Sequence, residues 1–245
     1  MIKNAVILAA GMGTRMEKLT RKLPKCLIEV NGETILENML KNLLEAEIKH
    51  CTIVIGYLGE LIRKKIGNRY GDIEVEYLEN KRYATTNDMY SFWIARDTVR
   101  RGTLLIESDI FLKRGIIPEV LKNASSKSFY LAGSYRDDRH NILLSTNSDG
   151  IIDKILDSNE IHPQKRKEYL ISAGILLIQP DLGKKLITLL DSYVKEGRLK
   201  LYYDSIIARH INEHLFFAYF IPGKSWVEID TEDDLRLAEK IFQII

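Results

Sequence analysis

The sequence predicts an α/β fold in which a Rossmann-like, mostly parallel mixed sheet is covered by helices. Three observations support this prediction. Buried-strand patterns alternate with amphipathic-helix patterns through the first half, the first strand pattern ends at a glycine pair, and short strands cluster around a tight turn in the second half. The chain has 245 residues, 45% of them hydrophobic, which is enough for a sizeable core. We therefore expect a single domain over residues 1–245.

The first half should form the parallel part of the sheet. Residues 5–10 are a continuous apolar run, the pattern of a central strand that is buried on both faces. Thr34 and Glu37 form a capping-box pattern at the start of an amphipathic helix. Further strands are predicted at 52–57, 74–78 and 103–108, and further helices at 60–66 and 87–99, the last with Asn87 as its cap. This βαβ order implies parallel strands.

The second half should be more antiparallel, because short strands there surround the turn Asn147-Ser148-Asp149-Gly150. Strands are predicted at 128–134, 142–145, 151–156, 171–178 and 215–221, and helices at 182–194 and 231–242.

Composition excludes several classes of protein. Lys and Arg number 36 against 34 Asp and Glu, so no overall charge indicates a nucleic acid or an anionic membrane as a partner. Two cysteines without metal-ligand spacing exclude a disulfide framework and a cysteine zinc site, and they favour the cytoplasm. The apolar run at the start ends at Gly11, too early for a signal peptide, and no run reaches the ~20 residues that span a bilayer. No pattern indicates an oligomeric state.

A glycine-containing loop follows the first predicted strand. Ala9 and Ala10 lead into Gly11-Met12-Gly13-Thr14-Arg15, where glycines let backbone N–H groups approach a phosphate and Arg15 adds a forked cation. Met16 stands where a dinucleotide fingerprint needs glycine, and no Walker sequence follows. Taken alone, such a turn is as often structural as functional.

A second cation sits ten residues further on, in Pro24-Lys25-Cys26-Leu27. Together the loop, Thr20 and this segment resemble the opening signature of the nucleotidyltransferases that make NDP-sugars and related CDP-compounds. Four more segments resemble one branch of that family, the phosphocholine cytidylyltransferase-like bacterial enzymes, which include relatives acting on aminoethylphosphonate: residues 83–91, 107–109, 198–204 and 226–230. The resemblance covers nearly the whole chain and implies a nucleotidyltransferase fold.

The resemblance implies a role for each matching residue. Arg15 and Lys25 would hold the triphosphate, and Asp109 and Asp230 would share Mg²⁺. Residues 1–110 would bind the nucleotide and residues 111–245 the acceptor. The implied nucleotide contacts are Ala9, Ala10, Gly11, Gly13, Thr14, Asn80, Thr86, Asn87 and Ser91.

Elementary chemistry agrees with the metal pair. Mg²⁺ takes oxygen ligands, often one or two carboxylates plus phosphates, and both aspartates follow strands at a plausible common edge. The alternative is that each is a cap or turn residue, and for Asp230 a second anion at the start of the helix after Thr231.

Acceptor binding is the less determined part of the prediction. An aromatic cage for a quaternary ammonium, with Asp204 or Glu228 supplying negative charge, is one interpretation, and ordinary core and surface aromatics are the other. The chain also reads Tyr135-Arg136-Asp137-Asp138-Arg139-His140 where the phosphocholine enzymes have a lysine-rich segment. Either Arg136, Arg139 or Lys154 holds the acceptor phosphate in place of that lysine, or the acceptor differs from phosphocholine. The candidate acceptor residues are Tyr135, Arg136, Tyr169, Tyr202, Tyr203, Asp204, Trp226 and Glu228.

The expected activity is transfer of CMP from CTP to a phosphorylated small molecule such as phosphocholine or aminoethylphosphonate, with release of pyrophosphate. A sugar-1-phosphate nucleotidyltransferase using UTP or dTTP is the nearest alternative, because the opening signature is shared. A nucleotide-sensing module without turnover and a dinucleotide-dependent oxidoreductase are the others; the two aspartates argue against the first and Met16 against the second.

Overall fold

The structure is a computed structural model, and it describes residues 2–134, 141–213 and 215–243. Its strands are β1 (Asn4–Ala9), β2 (Glu29–Val30), β3 (Glu33–Thr34), β4 (His50–Ile55), β5 (Arg69–Tyr70), β6 (Ile73–Glu79), β7 (Thr103–Glu107), β8 (Ile110–Leu112), β9 (Ser128–Ser134), β10 (Ile142–Thr146), β11 (Ile152–Asp157), β12 (Leu170–Ile178), β13 (Phe216–Phe220) and β14 (Trp226–Glu228).

The α-helices are α1 (Glu17–Thr20), α2 (Ile35–Glu45), α3 (Gly59–Ile66), α4 (Asp88–Ile94), α5 (Arg96–Arg100), α6 (Ile116–Asn123), α7 (Pro163–Arg166), α8 (Pro180–Lys195), α9 (Tyr203–Arg209) and α10 (Glu232–Ile241). Single turns of 3₁₀ helix cover Thr14–Met16, Lys25–Leu27, Tyr83–Thr85, Ser158–Glu160 and Ile211–Glu213.

At β7 the main sheet changes from parallel to antiparallel pairing, as the sequence predicts. On one side of it the strands run in the order β7-β1-β4-β6, and all of these neighbours are parallel. On the other side β12 is antiparallel to β7, β9 and β10. The sheet is therefore mixed and mostly parallel in its first half, which confirms the predicted fold class.

Helices cover both faces of the sheet, because successive residues of the buried strands point to opposite sides. On β1, Ala5 and Ile7 join the core that includes Leu36 and Leu40 of α2. The alternate residue Val6 joins the core under α4, α5 and α8. A β1 strand buried on both faces accounts for its unbroken apolar run.

The predicted start of α2 is confirmed, since Thr34 and Glu37 make a complete capping box. The helix predicted over 87–99 is wrong in two respects. It breaks at Ala95, whose N–H also bonds the Phe92 carbonyl three residues back and so tightens the turn, and Asn87 makes no side-chain capping bond. The Asn87 side chain instead donates to the carbonyl of Lys200, 2.8 Å away.

Two local features shape the edge at which β7 ends. Strands β8 and β14 form a separate antiparallel ribbon outside the main sheet. Strand β12 carries a bulge between Ser172 and Leu176, at which Gly174 adopts φ +65°. Both features lie beside the carboxyl end of β7, where open α/β sheets bind ligands. Across the described ranges, no helix combines the length and the apolar character that a membrane crossing needs.

Candidate active site

The glycine loop after β1 has its shape set by Gly13. This residue has φ +62°, and an added Cβ would lie 2.9 Å from Cγ2 of Thr20. The Thr20 hydroxyl donates to the carbonyls of Gly13 and Met16, at 2.9 and 3.1 Å. A side chain at position 13 would therefore strain the backbone and displace Thr20. Gly11, by contrast, has open space where a Cβ would stand.

Two cations and two carboxylates meet beside this loop. The Lys25 ammonium lies 2.7 Å from Asp109 Oδ2 and 2.5 Å from Asp230 Oδ1. The Arg15 guanidinium lies 2.6 Å from Asp230 Oδ2. The Lys25 side chain is only 12% exposed, whereas that of Arg15 is 62% exposed. Residues that are far apart in the chain thus form one cluster, which we call the charged centre: Arg15, Lys25, Asp109 and Asp230.

The two aspartates reach the charged centre by different routes. Asp109 follows β7, at the end of the parallel strands. Asp230 follows β14, and the Ile229 N–H donates to the Asp109 carbonyl at 2.9 Å. Both aspartates therefore lie at the same edge, but Asp230 is positioned by the β8–β14 ribbon and not by the main sheet. The capping box of α10 holds Asp230 further, because its N–H donates to Asp234 Oδ2 at 3.0 Å.

Electrostatics favour the charged forms of Lys25 and Asp230. Burial opposes the charge on Lys25, but Asp109 and Asp230 outweigh it and raise the pKa of the ammonium above its ordinary value. Burial likewise opposes ionisation of Asp230, and Lys25 and Arg15 outweigh it and lower the pKa of that carboxyl. The paired charges compensate one another's loss of solvent.

A second group of acids borders the charged centre. Carboxylate oxygens of Glu107, Asp109 and Glu228 all lie within 4.8 Å of one another. Burial, with Asp109 as the next cause, raises the pKa of both Glu107 and Glu228 well above the ordinary value. Crowded, partly desolvated acids of this kind attract a cation.

These acids could hold a divalent metal ion. Asp109 Oδ1 is buried and accepts no hydrogen bond from any described residue. Asp109 Oδ2 and the carboxylate oxygens of Asp230 are hard donors, the type that Mg²⁺ and Ca²⁺ prefer. The donor set at this edge therefore fits such an ion.

Glu107 is a site residue to which our sequence analysis assigned no role. The hydroxyl of Tyr203, a fully buried residue, donates to Glu107 Oε1. A Cβ at Gly174 would lie 3.1 Å from Glu107 Oε2, so the bulge in β12 makes room for this carboxylate. A signal was available, because Glu107 is an acidic residue at the end of an otherwise apolar strand, two positions before Asp109.

The residues predicted near the base and ribose divide into two sets. Asn80 is buried, and its Nδ2 donates to Thr86 Oγ1 at 3.0 Å and to Ser91 Oγ at 3.1 Å. Asn80 Oδ1 accepts the N–H of Arg82 at 2.9 Å. The structure thus brings Asn80, Thr86 and Ser91 together, while Asn87 turns toward Lys200.

The structure exposes some of the predicted acceptor residues and buries others. Tyr202 is 59% exposed, whereas Trp226 is 2% and Asp204 5% exposed. Asp204 Oδ1 accepts the Tyr130 hydroxyl at 2.9 Å, and burial raises the pKa of this carboxyl to about 7. Asp204 and Trp226 therefore lie behind the surface that a ligand would meet in this structure.

The other acceptor candidates lie in different parts of the molecule. Glu228 borders the charged centre, Tyr169 is half-buried against the core, and Lys154 is exposed on β11. Tyr135, Arg136 and Arg139 lie outside the described residues.

The chain is similar to known proteins over nearly its whole length. The nucleotidyl transferase family model matches residues 4–241. A choline-phosphate cytidylyltransferase of Haemophilus influenzae is 30% identical, over 94% of this chain and 94% of that protein. A 2-aminoethylphosphonate cytidylyltransferase of Lancefieldella rimae is 26% identical, over 95% of this chain and 90% of that protein. A solved structure of the CTP:phosphocholine cytidylyltransferase from Streptococcus pneumoniae superposes with a TM-score of 0.82 at 27% identity, covering 99% of this chain and 100% of that one.

Proposed function

Since this chain belongs to the nucleotidyl transferase family, we propose that it is a cytidylyltransferase that joins CMP from CTP to a phosphorylated small molecule and releases pyrophosphate. The observation that carries the proposal is the charged centre, in which Lys25 contacts both Asp109 and Asp230 and Arg15 contacts Asp230. Relatives that span nearly the whole chain act on choline phosphate and 2-aminoethylphosphonate, which supports the choice of CTP and of a phosphate or phosphonate acceptor.

The reaction asks little covalent chemistry of the protein. An oxygen of the acceptor phosphate attacks the α-phosphorus of CTP in line, and the bond to pyrophosphate breaks. A phosphate dianion has already lost the proton that a general base would remove, so no catalytic triad is required. The protein must instead bring two polyanions together and neutralise the charge that develops on the leaving group.

Arg15 and Lys25 suit this task in different ways. Arg15 is mostly exposed and presents a planar fork that can bind phosphate oxygens bidentately. Lys25 is mostly buried and stays protonated because two carboxylates face it. We assign the polyphosphate to both cations and the backbone amides of the glycine loop, and we place nucleotide binding in residues 1–110.

Asp109 and Asp230 are the proposed ligands of Mg²⁺, with the buried Asp109 Oδ1 as an oxygen that has no other partner among the described residues. Bound there, Mg²⁺ would neutralise phosphate charge and orient the polyphosphate. Arg15 and Lys25 would each add one positive charge beside the Mg²⁺ ion.

The acceptor is proposed to carry a cation as well as a phosphate or phosphonate. Glu107 and Glu228 are partly desolvated acids that border the charged centre, and burial raises the pKa of each well above its ordinary value. A cationic group on the acceptor, in addition to the proposed Mg²⁺, would stabilise their charged forms. An amine or quaternary ammonium supplies that cation, whereas a sugar phosphate does not. This observation favours phosphocholine or aminoethylphosphonate over the sugar-1-phosphate alternative, with binding by residues 111–245 and by Glu107.

A cytoplasmic location completes the proposal. Cys26 and Cys51 are both buried free thiols, and burial raises the pKa of each to about 12. Such thiols are unreactive and need no oxidising compartment.

The experiment is a matrix of nucleotides and acceptors. The purified protein is incubated with Mg²⁺, with CTP, UTP, dTTP, ATP or GTP, and with phosphocholine, phosphoethanolamine, 2-aminoethylphosphonate or glucose 1-phosphate. We expect pyrophosphate release and a CDP- or CMP-linked product, seen by mass spectrometry, only with CTP and an acceptor that bears an amine or a quaternary ammonium. Turnover restricted to UTP or dTTP with the sugar phosphate would establish the alternative enzyme. CTP binding with no product across the matrix would indicate a sensing module.

A further inference from the structure

We propose that Asn87 and Asp88 are positioning residues for the acceptor side of the enzyme and not contacts to the nucleotide. The segment they position is residues 199–204, which we call the acceptor segment. The inference rests on the proposed function, because it assigns the segment to the acceptor, and it departs from the nucleotide role that the family resemblance implies for Asn87.

Three hydrogen bonds join the start of α4 to the acceptor segment. The Asn87 N–H donates to the Leu199 carbonyl at 3.1 Å, and Asn87 Nδ2 donates to the Lys200 carbonyl at 2.8 Å. Asp88 Oδ1 accepts the Tyr203 N–H at 2.9 Å. These bonds link residues more than 110 positions apart in the chain, so they are purely tertiary contacts.

The far end of the acceptor segment is fixed in the core beside the acids. Tyr203 is fully buried, its ring meets that of Phe92 edge to face at 5.7 Å, and its hydroxyl donates to Glu107. Asp204 accepts the Tyr130 hydroxyl. Between these two anchored ends stands Tyr202, which is 59% exposed. The start of α4 therefore determines where Tyr202 lies and where Tyr203 holds the Glu107 carboxylate.

Three polar groups at the start of α4 already bind the acceptor segment. Asn87 directs its backbone N–H and its side-chain nitrogen to the acceptor segment, and Asp88 directs a carboxylate oxygen there. Asn80, Thr86 and Ser91 form a separate hydrogen-bond network, which does not include Asn87. A carboxylate at position 88 is also poorly suited to approach a triphosphate, since like charges repel.

The test separates the two substrates kinetically. Asn87→Asp is isosteric but removes the donor to Lys200, Asp88→Ala removes the acceptor for Tyr203, and Asp88→Asn keeps that acceptor while removing the charge. We expect Asp88→Ala to raise KM for the acceptor about tenfold, the effect of losing one partly buried hydrogen bond of about 1.4 kcal/mol, and Asn87→Asp to raise it about threefold, because the bond to Lys200 is exposed. KM for CTP should change less than twofold, and Asp88→Asn should behave like the wild type. Asn123→Asp, at an exposed asparagine whose Nδ2 donates to Tyr219, is the matched control.

Two further measurements do not require turnover. Amide hydrogen exchange across residues 199–204 should accelerate in Asn87→Asp and Asp88→Ala but not in Asp88→Asn or Asn123→Asp. Calorimetric titration with CTP should give the same Kd for all four variants as for the wild type.

The outcomes are distinct. A weakened CTP Kd in Asn87→Asp, or unchanged exchange across residues 199–204, overturns the positioning role whether or not the enzyme turns over. Failure of the wild type to form any CDP- or CMP-linked product overturns the proposed function instead. Equal loss in Asp88→Ala and Asp88→Asn would show that charge and not the hydrogen bond matters, and it also contradicts the inference.

Discussion

The cationic and acidic sides of the candidate active site are built in opposite ways. The cationic side comes from one short stretch of chain, residues 11–25, and presents a glycine loop, the exposed Arg15 and the ammonium of Lys25. The acidic side is assembled from four separate parts of the chain, which contribute Asp88, Glu107, Tyr203 and Glu228. Its acids are desolvated; Glu107 accepts the Tyr203 hydroxyl, and Asp88 accepts the Tyr203 N–H.

This difference matches the chemistry of two unlike ligands. A triphosphate is a large, strongly charged anion that backbone amides and a mobile arginine can bind from solvent. A small acceptor must be selected by a few groups in fixed positions, and fixing buried carboxylates needs support from several elements of the fold.

The largest effect is expected where the two sides meet. Asp109→Asn should lower kcat about 10²–10³-fold, because it removes one of the two proposed metal ligands at which charge is neutralised. The fold should remain, since Lys25 still contacts Asp230. Pyrophosphate release measures the first effect and circular dichroism the second. Asp181→Asn, at a fully exposed position of α8, serves as the control. Near-normal turnover of Asp109→Asn would refute its metal role.

The second prediction concerns Lys25 as the counter-ion of both aspartates. Lys25→Met leaves two mostly buried carboxylates facing each other, which should cost about 3 kcal/mol of stability in the absence of divalent cations. Because an ion that binds only the folded state stabilises it, Mg²⁺ should raise the Tm of this variant more than that of the wild type. Thermal unfolding in EDTA and in Mg²⁺ is the measurement. Lys41→Met removes a half-exposed ion pair with Glu33 and should show neither effect.

The third prediction compares the two glycines of the loop. Gly13→Ala should destabilise the fold by about 1–3 kcal/mol, since φ +62° and the 2.9 Å approach to Thr20 both oppose a side chain. Gly11→Ala should leave the free energy of unfolding within about 0.5 kcal/mol of the wild type, because nothing lies near its Cβ position. Urea unfolding of the two variants tests this. Equal stability would show that the loop is not held in its present conformation.

The fourth prediction concerns the buried carboxyl of Asp204 and the pH dependence of folding stability. Burial raises the pKa of Asp204 from an ordinary 3.8 to about 7, so the folded state binds a proton that the unfolded state has released. This contribution to stability is present at low pH and is lost as the pH rises from about 4 through about 7. Asp204→Asn should therefore flatten the stability profile over this window, as measured by urea unfolding. The exposed Asp153→Asn is the control, and parallel profiles for Asp204→Asn and the wild type would contradict the assignment.

Much of the fold could be predicted because its signals are local. The apolar run of β1 and the Thr34 capping box each lie within a few residues, and both were predicted correctly. Asn87 shows the limit of such signals. It stands at the N-cap position of α4, but a tertiary partner, the Lys200 carbonyl, takes its side chain. The very short strands β2, β3, β5, β8 and β14 were not predicted, because two or three residues carry no periodicity.

The site shows the same division. Arg15, Lys25, Asp109 and Asp230 could each be identified from sequence as candidates, since glycine turns, cations and strand-end carboxylates suit phosphate and metal chemistry. That Lys25 contacts both aspartates could not, because the contact depends on a ribbon of three-residue strands that delivers Asp230. Glu107 was missed as a site residue for a related reason. Its importance comes from Tyr203 and Gly174, which lie more than 65 residues away in sequence.

By itself, therefore, the sequence determined the α/β class, the glycine loop and the residue types available for chemistry, because backbone conformation and amphipathic periodicity act over short distances along the chain. Only the tertiary structure decided which charges share a counter-ion, which acids are desolvated and which polar groups are already engaged. Those properties depend on distance in space and on exclusion of water, and both are set by how remote segments pack together.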